Sequence, residues 1–416
     1  MENPRTAIVV GAGIVGICTA VELRRRGWAV TLVDRQEPGH GCSYGNAGIL
    51  AAHAVVPIAL PGLMAEVPRM LLDPEGPLVL RWTSLPHTWR WLVRLRSAAN
   101  LPQVRRTAAA MHQLYASAVQ RHLALAREAG VPELVSTDNG LYVHRDANGI
   151  DLDNGLAWQL RREHGARTEV LEGAALHEAE PELSRAYTRG VRMGPMGHSV
   201  NPLRLTQAYA ALLRALGGSI ERDDVRALQA SGASVRVATA NGQREADAVV
   251  LATGAWSSAL VRPLGFKLPL IAERGYHLTY ADPGIRLNHV VSEIGAHFAV
   301  TSMEPGLRVA GTEEIGLADD APSWRRADVL HAHARRLFPN ANLGQPSRWM
   351  GPRPGTPDSL PVIGALPGHS RIFIAAGHGH LGLTGAPHTG HIVARMVSGE
   401  PAEIDLAAFA PGRFDG

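Results

Sequence analysis

Three glycines near the N-terminus, Gly11, Gly13 and Gly16, form a Gly-x-Gly-x-x-Gly turn of the kind that holds a pyrophosphate. Gly11 permits the tight turn, Gly13 lets a phosphate approach the backbone, and Gly16 lets a helix pack closely on a strand. Ile14 and Val15 open that helix, whose N–H groups and dipole favour negative charge. Asp34 follows 18 residues after Gly16, where a carboxylate can accept hydrogen bonds from ribose hydroxyls. The chemistry implied is dinucleotide binding, by FAD or by NAD.

Those residues need a strand, a helix and a second strand. Thr6–Val10 is a short apolar, β-branched run, Ile14–Arg26 has helical character with Gly27 as its C-terminal cap, and Ala29–Val33 is a second apolar run. Residues 35–62, rich in Gly, Ala and Pro, are expected to form a long ligand-covering loop, and 63–130 to be mostly helical. Positions 104, 108, 111, 115, 118, 122 and 125 form a mostly apolar stripe at helical spacing. Gly140–His144 predicts a strand, and Asn201-Pro202 a helix start, with that helix running to Gly217-Gly218. Short strands are expected around Ser219–Glu221, Ser234–Ala238 and Ala248–Ala252, and alternating ones such as Gly275–Tyr280 and Leu307–Gly311 predict an antiparallel sheet. Arg371–Ala375 is again apolar and leads through Gly377–Gly382 into a helix ending near Val397.

Length and composition bound the possibilities. A chain of 416 residues predicts two domains, and 45% hydrophobic with 19% charged residues is ordinary for a globular protein. Lys plus Arg number 41 against 38 Asp plus Glu, with no block of like charges, so no nucleic-acid partner is indicated. Lys267 is the only lysine, which weighs against a pyridoxal-phosphate enzyme. Two cysteines, Cys18 and Cys42, make neither a metal cluster nor a disulfide framework, and no metal is expected. With no leader pattern and no apolar run of spanning length, a cytoplasmic protein is expected, with peripheral contact at the inner membrane left open.

Other motifs carry a resemblance. Asp247–Trp256 reads DAVVLATGAW, and its Ala-Thr-Gly, together with the N-terminal turn, resembles the flavoproteins with two dinucleotide-binding segments. Ser43-Tyr44-Gly45-Asn46-Ala47-Gly48 is similar to the Ser-x-x-Asn-Ala-Gly segment of D-amino acid dehydrogenases. GPRPGTPDSLP at Gly351–Pro361 and GHGHLGL at Gly377–Leu383 resemble two further motifs of that family, which includes D-amino acid, glycine and sarcosine oxidases. The resemblance implies FAD rather than NAD, and a mixed α/β fold: a Rossmann-like FAD-binding domain assembled from residues 1–62, 199–266 and 346–416, and a substrate domain with an antiparallel sheet from 63–198 and 267–345. The absence of any cysteine after Cys42 excludes the C-terminal cysteinyl-flavin link of sarcosine oxidases, so the FAD is expected to be non-covalent.

Two segments depart from the D-amino acid dehydrogenase pattern. After Asn-Ala-Gly the chain reads Ile49-Leu50-Ala51-Ala52-His53, and the late turn continues Gly-Leu-Thr-Gly-Ala. The sequences ERGYHL and GHGHLGLTGAP look more like dehydrogenases of D-proline or D-hydroxyproline. The cofactor residues implied are Gly11, Gly13, Ile14, Val15, Gly16, Asp34, Arg35, Ser43, Asn46, Ala47, Gly48, Ile49, Val225, Thr253, Gly254, Trp256, and the turn Gly377, His378, Gly379, His380, Leu381, Gly382, Leu383 and Thr384.

Amine oxidation by a flavin needs a carboxylate clamp, a neutral amine and stabilisation of the reduced flavin. Arg353 matches the arginine of the family's Gly-x-Arg-Pro motif, and a planar guanidinium can bind a carboxylate through two parallel bonds. Tyr276 resembles the tyrosine that helps bind the carboxylate, and His53 could take a proton from the substrate ammonium. The N–H groups of the Gly377–Thr384 turn could favour negative charge on reduced flavin. Alternatives remain: glycine, sarcosine or a 2-hydroxy acid as substrate, a flavin-binding subunit without catalysis, or an NAD-dependent dehydrogenase. The expected partner is a small amino acid, and oxygen, a quinone and a partner protein all remain open as electron acceptor.

Overall fold

The computed structural model describes residues 4–414 except 63–66, 68, 69, 72, 74 and 138. Thr6–Val10 and Ala29–Asp34 lie parallel in the middle of a six-stranded sheet. Its order is Ser219–Arg222, Ala29–Asp34, Thr6–Val10, Ala248–Leu251, His369–Ala376 and Val362–Leu366, with only the last strand antiparallel. The apolar runs read as buried strands are these parallel ones, covered on both faces as parallel strands require.

Helices Ile14–Arg25 and Gly382–Ser398 pack together on one face of that sheet. Contact is close because Gly390 faces the Cys18 backbone, where an added Cβ would come within 2.6 Å of a carbonyl carbon. Pro387 lies inside the second helix and gives no N–H to the Leu383 carbonyl. The buried His122 Nε2 lies 2.7 Å from that carbonyl and supplies the donor instead. His122 belongs to the predicted stripe, whose members from Val104 to Leu125 are all buried, on two helices, Leu101–Tyr115 and Ala118–Glu128. Asn100 caps the first through Gln103 N–H (3.0 Å), and Asn201 caps Pro202–Ala215 through Arg204 N–H (3.0 Å). Among the described residues of 63–130, the helical expectation meets one exception, the short strand Leu78–Leu80.

In a nine-stranded, mostly antiparallel sheet, Ile271–Tyr280 lies second from one edge, paired with the edge strand Ser347–Gly355 on one side and Gly306–Gly316 on the other. Ser347–Gly355 lies in the 346–416 segment assigned from sequence to the FAD-binding unit, yet it hydrogen-bonds into this second sheet. The chain crosses to the six-stranded sheet only after it, at Val362–Leu366. Strands Arg167–Glu172 and Arg189–Gly194, which carry no clear alternation in sequence, complete the far side. A three-stranded meander, Val225–Ser231, Ser234–Thr239 and Gly242–Ala246, lies beside the six-stranded sheet. Among the described residues no helix is long and apolar enough to cross a membrane.

Candidate active site

A cavity of about 1210 Å³ runs from the C-terminal ends of the parallel strands to one face of the antiparallel sheet. That is the expected place for a ligand on an open parallel sheet. All the residues singled out from sequence line it except five: Gly16, Gly48, Tyr276, Gly377 and Thr384.

At the strand end the walls are largely backbone. Gly11 sits at φ +110°, and a Cβ there would lie 2.4 Å from the Ala252 carbonyl oxygen, so no other residue fits this turn. Gly16 is absent from the wall for the reason its spacing gives: a Cβ would meet the Gly11 carbonyl oxygen at 1.9 Å. Asp34 faces the cavity, and its carboxylate accepts Ala12 N–H (2.6 Å) and Gln36 N–H (2.8 Å). It thus fixes the turn as well as offering its remaining lone pairs. One N–H at the helix start is already engaged, because Ile14 N–H donates to Ser43 Oγ at 3.0 Å. Arg35 lies 4.4 Å above the Trp256 ring, closing the far end beside Val225 and Gly254.

The segment from Tyr44 to Ile49 is held from the antiparallel sheet. Buried Arg308 donates to the carbonyls of Tyr44 (2.9 Å) and Asn46 (2.7 Å), and Thr301 Oγ1 donates to that of Ala47 (3.1 Å). Burial lowers the Arg308 pKa to about 10. Asn46 Oδ1 accepts Gly48 N–H at 2.7 Å. Gly48 itself faces away from the cavity, where a Cβ would meet the Ser199 carbonyl oxygen at 2.3 Å. A glycine is therefore needed at this position for packing. Thr384 and Gly377 also stand off the cavity wall: the Thr384 hydroxyl donates to the Ile49 carbonyl (3.1 Å), and Gly377 packs against Thr356. The rest of the late turn, His378 to Leu383, does line the cavity. Burial lowers both His378 and His380 to about 4, so both imidazoles are neutral.

The other end is made of side chains from three neighbouring strands. Register places Glu273 opposite Arg353, and Gly275 between Gly351 and Glu313. These side chains share one face of the sheet because alternate residues do. The Arg353 guanidinium leans across Gly275, where a Cβ would sit 2.1 Å from its Cζ. Gly275 is what makes room for that side chain. The Trp349 indole fills the space over Gly351 and Gly45 and stacks on His277 at 5.0 Å.

Tyr276 points the other way. It is fully buried in the core beneath helix Arg325–Leu337, donates its hydroxyl to Glu314 and accepts Ser323 N–H at 2.9 Å. The expected carboxylate contact of Tyr276 is therefore corrected: its neighbours on the strand, Gly275 and His277, hold the cavity face. His53 does line the cavity, with its pKa lowered chiefly by burial.

The sequence reading passed over Glu273, Glu313, Trp349 and Arg308. Glu273 stood in the quoted ERGYHL, two residues from Gly275, so period-2 alternation alone places it on the Arg353 face. Glu313 is hidden by a bulge at Thr312, which shifts the register between Gly275 and Tyr276. Burial raises the pKa of both carboxyls, Glu273 further through repulsion by Glu313, and the Arg353 charge opposes both shifts.

The residues present fit an FAD. A glycine cradle and Asp34 stand at one end, a long channel follows, and a turn of backbone N–H groups lies near a charged pocket. Comparison with known proteins agrees. A family model described as FAD dependent oxidoreductase (DAO) matches residues 6–396. The chain is 39% identical to a D-amino-acid oxidase of Bradyrhizobium diazoefficiens, covering 100% of both chains. It is 32% identical to a D-amino acid dehydrogenase of Rhizorhabdus wittichii, over 98% of this chain and 99% of that one. Among solved structures, glycine oxidase from Geobacillus kaustophilus superposes with a TM-score of 0.73 at 22% identity, covering 99% of this chain and 100% of that one. The chain belongs to the DAO family of FAD-dependent oxidoreductases, and FAD is its cofactor.

Proposed function

We propose that this family member oxidises the Cα–N bond of a small D-amino acid, with D-proline or cis-4-hydroxy-D-proline as the preferred substrate. The observation that carries the reading is Arg353. Its guanidinium lies across Gly275 on the cavity face, and among the described residues no ion pair within 4.0 Å engages it. A planar cation without an ion-pair partner within 4.0 Å among the described residues, in a part-apolar cavity, suits a carboxylate. Ala310, Phe298 and Trp349 provide an apolar wall in the same cavity for a small side chain or ring. The D configuration rests on the two relatives named for D-amino acids, each matching nearly the whole chain.

Bound FAD supplies the two-electron acceptor. Gly11, Gly13 and Asp34 would hold its dinucleotide end, and His378 to Leu383 would border its reactive ring. The chain's own groups orient the amino acid, and the neutral imidazoles of His378 and His380 add no positive charge to the turn.

The test is anaerobic bleaching of the purified yellow protein by a panel of D- and L-proline, cis-4-hydroxy-D-proline, D-alanine, glycine, sarcosine and lactate. The D-imino acids should bleach the flavin fastest. Bleaching by lactate alone, or by L-amino acids alone, would overturn the proposal. Acid precipitation should leave the flavin in the supernatant.

A further inference from the structure

We propose that Glu313 is the catalytic base that binds the substrate's α-ammonium and removes its proton, completing with Arg353 a site for a zwitterion. The inference rests on reading Arg353 as the carboxylate clamp.

Glu313 lines the cavity one strand away from the guanidinium, directly opposite Gly275, over which Arg353 lies. A ligand whose carboxylate meets Arg353 has its Cα and nitrogen within a few bonds of that point. Amine oxidation requires the nitrogen lone pair, and at neutral pH an amino acid carries it as an N–H bond of an ammonium. The step is a proton transfer: one N–H bond breaks, one O–H bond forms on the Glu313 carboxylate, and the neutral amine keeps the electron pair. That pair would then be available for the C=N bond, with bound FAD supplying the two-electron acceptor for the Cα–H.

The surroundings suit a carboxylate for this task. Glu273 lies on the same face, with its Oε1 buried and without a hydrogen-bond partner among the described residues. A Cβ on Gly355 would lie 2.0 Å from that oxygen, and one on Gly379 would lie 3.6 Å from Oε2, so the strand and the flavin-side turn enclose it. The titratable or charged groups around Glu313 are Arg353 and Glu273 on its sheet face, His380 on the turn, and His53, Glu293 and His297 elsewhere on the cavity wall. Burial raises the proton affinity of Glu313 and Arg353 restrains the rise. A carboxylate of raised basicity beside a guanidinium is a more effective acceptor than an exposed one. His53 lines the same cavity, but burial weakens its basicity.

The experiment is anaerobic stopped-flow reduction of the FAD-loaded protein by D-proline from pH 5 to 10, for the native chain, Glu313→Gln and Glu313→Asp. FAD content is measured for each, with the spectral shift caused by benzoate, a carboxylate without an amine. Glu313→Gln should keep its FAD and still bind benzoate. Its reduction rate should fall roughly 100-fold at neutral pH, with the gap closing at about pH 10, where an alkyl ammonium deprotonates unaided. Glu313→Asp should keep the native pH limb at a lower rate. A Glu313→Gln profile parallel to the native one would overturn the base assignment while leaving the amino acid reading intact. If no amino acid reduces the native flavin, both this inference and the reading beneath it fall.

Discussion

The two ends of the cavity are built by different rules. At the dinucleotide end the working groups are backbone N–H groups and glycines in one contiguous strand–turn–helix–strand, with Asp34 tying the turn together through Ala12 N–H at 2.6 Å. At the substrate end the working groups are side chains from three strands, Ile271–Tyr280, Gly306–Gly316 and Ser347–Gly355, brought together by register alone. The first kind of site tolerates surrounding change as long as the turn closes. The second depends on which face each residue takes, so a slip of one residue would replace Gly275 with Tyr276.

Three substitutions sharpen this contrast. The largest effect is expected at Gly275, where there is no space for a side chain beneath Arg353. Gly275→Val should displace the guanidinium and reduce kcat/KM for flavin reduction by roughly 100-fold, the scale of a lost charged contact, with FAD still bound. Near-native turnover would mean that Arg353 need not lie across the strand.

Asp34→Ala acts at the other end. It removes a carboxylate from Ala12 and Gln36 N–H groups and from the expected ribose contact, so the FAD dissociation constant should rise roughly 10- to 150-fold. Fluorescence titration of the apoprotein would measure it. Rates of reduction at saturating FAD should change little, and a large fall there would blur the separation of the two ends.

The smallest catalytic effect is expected from Tyr276→Phe. With its hydroxyl buried against Glu314 and Ser323, the change should leave kcat/KM within about threefold of native. It should cost about 1–3 kcal/mol in urea unfolding, because two buried partners lose a bond. A loss in kcat/KM without a loss of stability would return Tyr276 to the cavity.

The same contrast explains what the sequence made legible. The parallel strands, the glycine turn, Asp34 and the stripe from Val104 to Leu125 follow from local composition and period, and they lie where those signals put them. Arg353 was found because its motif is local too. Tyr276 was misplaced because an aromatic residue beside a motif arginine says nothing about face. In register Tyr276 pairs with Met350, an odd number of residues from Arg353, so the two side chains leave opposite sides of the sheet. Glu313 was invisible because a bulge at Thr312, φ 48°, resets the alternation that would have revealed it. Arg308 escaped because its partners, the carbonyls of Tyr44 and Asn46, are more than 260 residues away in sequence.

The central claim is that Arg353 holds a substrate carboxylate, and the most direct measurement compares Arg353→Ala and Arg353→Lys in anaerobic flavin reduction. D-proline and pyrrolidine, the same ring without its carboxylate, serve as the two substrates. For D-proline, kcat/KM should fall roughly 30- to 1000-fold in Arg353→Ala and nearly as far in Arg353→Lys, because an ammonium cannot make two parallel bonds. Pyrrolidine should be a poor substrate for the native chain and little affected by either change. Native-like kcat/KM for D-proline in Arg353→Ala, or equal losses on both substrates, would contradict the claim.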